Sequence, residues 1–191
     1  NGDNIGLVLH YDGKTWTEAF SVYADESFRA VWGTSSTNVF AFGEDGAHLA
    51  YHYDGKKWSL IPGKNVPTGG TGICGSTENN FFVSAYDGIW HFDGKQWVLQ
   101  SPKFEVCFDI WGSSAPTAFA SCNTEPLLQF DGKNWVPSSF EEDIFGGSMP
   151  VTTYFHMSDM IEFPGGIFWA ITGINDNGNP SQHLFRYNGT T

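Results

Sequence analysis

His10-Tyr11-Asp12-Gly13-Lys14-Thr15-Trp16 returns along the chain as His52-Tyr53-Asp54-Gly55-Lys56-Lys57-Trp58, as His91-Phe92-Asp93-Gly94-Lys95-Gln96-Trp97 and as Gln129-Phe130-Asp131-Gly132-Lys133-Asn134-Trp135. A fifth copy, Arg186-Tyr187-Asn188-Gly189, stops before its Trp. Successive Trp residues are 42, 39 and 38 positions apart, and the last aromatic step, from Phe130 to Tyr187, is 57. Asp-Gly between two β-favouring runs is a strong hairpin signal, because a type I′ turn needs positive φ at both central residues. Residue 11 should therefore end one strand and Trp16 should lie in the next. Asp12-Gly13, Asp54-Gly55, Asp93-Gly94 and Asp131-Gly132 are expected in type I′ or closely related turns. Trp16, Trp58, Trp97 and Trp135 are expected to be buried between repeats.

A second element lies between the heptads. Val31-Trp32-Gly33-Thr34-Ser35-Ser36-Thr37-Asn38-Val39-Phe40-Ala41-Phe42-Gly43 recurs from Ile73 to Val83, with Cys74 in the Trp position, and from Ile110 to Ala120. A degenerate copy runs from Met160 to Ala170. Two apolar strands around a loose turn, followed by two around Asp-Gly, give four strands per period, termed A to D. In the first full copy they fall at roughly 28–33, 38–43, 47–53 and 56–61. Four short antiparallel strands in about 40 residues are the signature of a propeller blade. The fold class is therefore all-β, a β-propeller of four-stranded antiparallel blades. A β-sandwich with accidental similarity would not produce four near-identical heptads. As one domain over 1–191, the chain divides into a partial blade (1–20), blades at about 28–61, 71–100 and 106–138, an insertion at about 138–156, and an irregular blade at about 157–191.

Composition supports strands and narrows the partners. The 191 residues include 17 Phe, eight Trp, seven Tyr and 23 Gly, which suit short strands and tight turns. Twenty-one acidic against nine basic residues give a formal net charge of −12. That balance argues against nucleic acid and against an anionic membrane surface. No apolar run approaches the roughly 20 residues of a membrane-spanning helix.

The repeat resembles that of a family of bacterial exported and surface proteins with tandem Trp-Gly-Ser-Ser…Val-Phe-Ala-Val-Gly…His-Tyr-Asp-Gly-x-x-Trp units. The likeness is close over residues 5–135 and distant over 156–189. It implies a β-propeller and an extracellular, cell-surface or periplasmic location, and no particular activity. The heptad is also similar to the Asp-box of sialidase-like propellers, but an Asp-box has one residue between Asp and Gly.

The two ends of the chain do not make one blade. The first residues supply C and D strands, about 5–11 and 14–20; the last supply A, B and C strands, about 157–163, 167–173 and 183–187. Merging them would duplicate strand C. The chain starts at Asn1 without Met and ends where a D-strand Trp is due. The expectation is a portion of a longer chain and a larger ring; the alternative is a closed four- or five-bladed ring with an irregular seam.

Candidate chemistry is sparse. His10, His52 and His91 share a repeat position, so they radiate apart on successive blades and cannot converge on one ion; each is expected as a polar residue on a strand face. His48, His156 and His183 lack metal-ligand spacing. No metal and no cofactor is expected. Cys74 should fill a core position. Cys107 and Cys122 lie in strands A and B around a turn centred near Ser114, and opposed antiparallel positions are within disulfide reach, so a bond is expected there with Cys74 free. Two buried free thiols are the alternative. No Gly-x-Ser-x-Gly or phosphate-binding loop is present. Asn175-Asp176-Asn177-Gly178-Asn179 is only faintly like a calcium loop and reads as a solvated B–C loop. Asn188-Gly189-Thr190 is a glycosylation sequon.

The last aromatic step is 15 to 19 residues longer than the Trp spacings, mostly between Trp135 and Asp159. This stretch carries Phe140, Glu141, Glu142, Asp143, Phe145, Met149, Tyr154 and Phe155. A long loop with aromatics and acids, on the face where D–A and B–C connections emerge, is the binding candidate. The alternative is an insertion that covers a blade edge. The functional expectation is a non-enzymatic binding or scaffold module of an exported bacterial protein, with a protein partner or other domains of its own chain. A lectin-like propeller binding glycan is the first alternative, lowered because the repeated Trp residues look structural. A sialidase-like hydrolase is the second, lowered because Arg29 and Arg186 are the only arginines.

Overall fold

The computed structural model describes residues 5–23, 27–43, 49–101, 106–112, 118–123, 127–137, 142–143, 155–163, 167–176 and 179–187. From residue 142 onward it describes the backbone, together with the burial of Met160. The described strands form five antiparallel sheets. The first has two strands, β1 (Ile5–Tyr11) and β2 (Trp16–Tyr23). The next three each take four consecutive strands in chain order. They are β3–β6 (Phe28–Ser35, Asn38–Gly43, Ala50–Tyr53, Trp58–Leu60), β7–β10 (Gly70–Thr77, Asn80–Ala85, Gly88–Phe92, Trp97–Leu99) and β11–β14 (Cys107–Trp111, Phe119–Cys122, Leu128–Phe130, Trp135–Pro137). The A strands stand side by side: β3 packs beside β7, and β7 beside β11.

The last sheet departs from chain order. Its order is β15-β18-β17-β16, with β15 at Glu142–Asp143, β16 at Phe155–Phe163, β17 at Ile167–Asp176 and β18 at Asn179–Tyr187. Strand β15 pairs with β18 through Glu142↔Arg186 and Asp143↔Phe185. The D position of this sheet is thus held by a segment that precedes its A strand. Strands β17 and β18 pair as far as Asp176↔Asn179, so Asn175, Asp176 and Asn179 of the expected B–C loop stand in paired strands, and 177–178 lie outside the described residues.

Strand B is buried on both faces, which explains its nearly unbroken apolar run. In β8, Phe81 and Val83 join Phe40, Phe42, Ala50 and Trp97 in one core between the second and third sheets. Phe82, on the opposite face, joins Cys107, Ile110, Ala120, Leu128 and Phe130 in the core between the third and fourth. Cys74 is buried there as a free thiol. Cys107 and Cys122 pair across β11 and β12 and form a disulfide, S–S 2.04 Å.

A register shift recurs early in the A strands, between Phe28 and Ala30, Gly70 and Gly72, Cys107 and Asp109, and Met157 and Asp159. Each inserts one extra residue and strengthens the local twist. In β7 the extra residue is Thr71, whose Oγ1 donates to Cys107 O at 2.8 Å and so ties the third sheet to the fourth. Beside it, a Cβ on Gly72 would collide with Asp109 Oδ1 and Ile110 N, so only glycine permits this approach.

The turns are hairpin turns related to type I′, with Asp outside the central pair. Only the glycines have positive φ (Gly13 92°, Gly55 87°, Gly94 87°, Gly132 101°); no Asp does. Positive φ at the first central residue alone is the II′ pattern. Asp sits one place earlier than expected. Its N–H donates to the backbone oxygen three residues on, as Asp54 does to Lys57 at 3.3 Å. Its Oδ1 accepts two backbone N–H groups, for Asp54 those of Lys56 and Lys57, both at 2.9 Å. These donors, Lys57 first and Lys56 next, hold the Asp54 carboxyl below its usual range, and the same holds for Asp12, Asp93 and Asp131 with their own turn amides.

Candidate binding surface

The heptad Trp meets the sheet before it. Phe42 of β4 lies edge-on to Trp97, centroids 5.9 Å apart, and Phe82 of β8 lies edge-on to Trp135 at 5.3 Å. Phe20 of β2 stacks on Trp58 at 5.6 Å and reaches Tyr51 at 4.8 Å. Trp97 is buried, and Trp58 and Trp135 are half-buried. Trp16 is 68% exposed, against the expectation that all four would be buried. The physical reason is positional: among the described residues no earlier sheet supplies an aromatic to cover it.

The consequence is an apolar face on the first sheet. Successive side chains alternate between faces, so Leu7, Leu9 and Tyr11 share one side of β1. Across the strands they oppose Ser21, Glu18 and Trp16. Tyr11 and Trp16 touch, centroids 5.1 Å apart. Leu7, Leu9, Tyr11, Trp16 and Tyr23 are all exposed, and three of them, Tyr11, Trp16 and Tyr23, are of the types that anchor interfaces.

The repeated histidines are structural in the complete blades. His52 stacks on Phe40 at 4.4 Å and donates from Nε2 to Asn38 Oδ1 at 2.6 Å. His91 stacks on Phe82 at 4.6 Å and donates to Asn80 Oδ1 at 2.7 Å. Burial lowers both imidazoles below their usual range, with Asp54 and Asp93 opposing the shift. This His-Phe-Asn unit joins the B and C strands of one blade and was not visible in the linear sequence. A paired recurrence of Asn before Val39-Phe40 and before Phe81-Phe82 was the available signal. His10 holds the same register position in β1 and is exposed.

Of the residues expected at the long connection, Glu142 and Asp143 form β15 and Phe155 opens β16. Phe140, Glu141, Phe145 and Tyr154 lie outside the described residues. The described part of the insertion therefore serves as a sheet edge. Among the described residues no group of three metal-ligating side chains occurs, and no helix is long and apolar enough to cross a membrane.

No protein-family model and no curated protein matches the chain. Solved structures do. The extracellular domain of the one-component system BT4673 from B. thetaiotaomicron superimposes with a TM-score of 0.61 at 11% identity, over 91% of this chain and 25% of that one. YCF48 bound to D1 peptide superimposes with a TM-score of 0.55 at 19% identity, over 90% of this chain and 57% of that one. The chain thus spans a quarter and just over half of the lengths of these two. With four-stranded antiparallel sheets in series and A strands side by side, the chain has the β-propeller fold.

Proposed function

We propose that this chain is a non-enzymatic binding and scaffold module of an exported protein, working by protein–protein assembly. The observation that carries the reading is the exposed face Leu7-Leu9-Tyr11-Trp16-Tyr23, because the heptad Trp of each of the next three sheets is met by an aromatic of the sheet before it. Exposed aromatic side chains such as Tyr11, Trp16 and Tyr23 are the usual anchors of a protein interface. The peptide carried by YCF48 supports the reading by analogy of fold. The disulfide supports an oxidising compartment. The net charge of −12 favours a partner with a basic rim through steered association.

The test places a photo-crosslinking amino acid at position 16, at 9, and, as control, at the exposed turn position Lys133, in the protein expressed in its own host. Protein adducts from 16 and 9 but not from 133 are the expected result. Adducts from 133 alone, or none from any position, would overturn the assignment of this face.

A further inference from the structure

We infer that Gln100 is a proton-operated amide switch: when the His91 ring takes up a second proton, the amide turns over and its Oε1 accepts from Nδ1–H, so that the third sheet withstands acid that loosens the second. The neutral arrangement carries the reason. Asn80 Nδ2 donates to Ser76 Oγ at 3.0 Å, which turns its Oδ1 to the ring, and His91 Nε2 donates there. Nδ1 is then the bare nitrogen. Gln100 Nε2 reaches it at 3.4 Å, long for a hydrogen bond, while Gln100 Oε1 is buried with no partner among the described residues. A charged ring carries a proton on Nδ1 as well, and there a donor would face a donor. Rotating the amide about its terminal torsion, which has two comparable wells, exchanges donor for acceptor. One buried amide atom lacks a partner in either orientation, so the charge-assisted bond to the ring decides between them. The backbone need not move: Gln100 N–H stays on Ile89 O and Ile89 N–H on Ser101 Oγ, both at 2.8 Å.

The second sheet has the same unit without the switch. His52 donates to Asn38 Oδ1, and Asn38 Nδ2 donates to Thr34 Oγ1 at 2.6 Å. Three residues after the heptad Trp, where the third sheet has Gln100, the second has Ile61, held by the same backbone bond, here to Ala50 O. Ile61 offers Nδ1 no acceptor. The charges around the two rings are matched. Around His91, β8 brings Asn80 and Phe82, β10 brings Val98 and leads into Gln100, and the fourth sheet meets Phe82 with Phe130 and Trp135. All are uncharged, and the carboxylate acting on the ring is Asp93 of its own turn. Around His52, β4 brings Asn38 and Phe40, β6 brings Ser59, and the third sheet meets Phe40 with Phe81, with Asp54 as the carboxylate. Burial lowers both rings, and only at His91 does an amide oppose it. A folded value below the unfolded one costs stability as pH falls through it, and the smaller shift costs less. Acid therefore weakens the second sheet before the third.

Nitrogen NMR of the whole chain follows each imidazole through a pH titration, with His52→Gln and His91→Gln assigning the two rings. Neutral His91 should be the Nε2–H tautomer. It should titrate about one pH unit above His52, the shift that one hydrogen bond to a charged group is worth. The side-chain amide signals of Gln100 should move with the same midpoint, which a merely structural glutamine would not show. Gln100→Leu should bring His91 down to His52, and Ile61→Gln should lift His52. Hydrogen exchange, corrected for its intrinsic pH dependence, should quicken over 50–53 before 88–92 as pH falls. The switch is refuted if His91 titrates at or below His52, if the Gln100 amide signals ignore its midpoint, if neither substitution moves its histidine, or if 88–92 opens first. Should Gln100→Leu fail to fold, Ile61→Gln and the amide signals of the unaltered protein decide.

Discussion

Trp97 and Trp16 occupy the same place in the repeat and differ almost completely in burial, 7% against 68% exposed. Replacing each with alanine separates the contribution of the preceding sheet from that of the hairpin. Burying an aromatic of this size removes roughly 150–250 Å² from water, worth about 4–6 kcal/mol at about 25 cal/mol per Å². Trp97 Nε1 is buried with no hydrogen-bond partner among the described residues, a desolvation cost of about 1–3 kcal/mol that alanine would relieve. Trp97→Ala should therefore destabilise by about 2–4 kcal/mol, within reach of the usual range for such truncations. Trp16→Ala loses a contact with Tyr11 and little burial, so its change should stay within about 0.5 kcal/mol. Urea unfolding followed by circular dichroism, with the slope checked for constancy, measures both. Equal losses at the two positions, or a larger one at Trp16, would refute the view that the preceding sheet's aromatic strand is what holds the heptad Trp.

The disulfide joins residues 15 apart, so reduction or the double Cys→Ser variant should cost about 3 kcal/mol in the loop-entropy model; thiol titration of the unfolded, non-reduced protein should find one reactive thiol, Cys74, and finding three would contradict the bond. Gly55→Ala should cost more than Gly13→Ala in thermal melts. Both have positive φ, but the added Cβ meets Thr37 Cβ at 2.8 Å in one and nothing within 4 Å in the other, so a strain of about 1–2 kcal/mol is common to both and the clash is not. His52 and His91 have folded pKa values lowered by burial, so the unfolded chain binds protons first as pH falls. Stability is full above about 6.5, the unfolded value, and declines until pH has passed the folded values. The double His→Gln variant should show a flatter dependence of urea midpoint on pH over that window, and an unchanged profile would show that these rings are not the titrating groups.

What the sequence determined by itself is the blade. Asp-Gly at a fixed distance from Trp sets a hairpin through local backbone preference, and the unbroken apolar run Val39, Phe40, Ala41 and Phe42 sets a strand buried on both faces; neither needs knowledge of the neighbours. The pairing of Cys107 with Cys122 was legible for the same reason, since a short hairpin dictates its own register. The place of Asp within the turn was not legible, because Asp can accept backbone hydrogen bonds as readily as it can occupy a turn centre, and the dipeptide alone does not choose. The His-Phe-Asn units join residues up to 14 positions apart in the chain, and the A-strand shifts depend on the twist between sheets, so neither has a local signature. Only the tertiary structure could decide that Trp16 stands exposed while Trp97 is buried, and that Glu142 and Asp143 edge the last sheet. The physical reason is the same in both cases. A repeat specifies which faces are apolar and which edges carry hydrogen-bonding groups, but what covers them depends on the neighbouring strands that pack there.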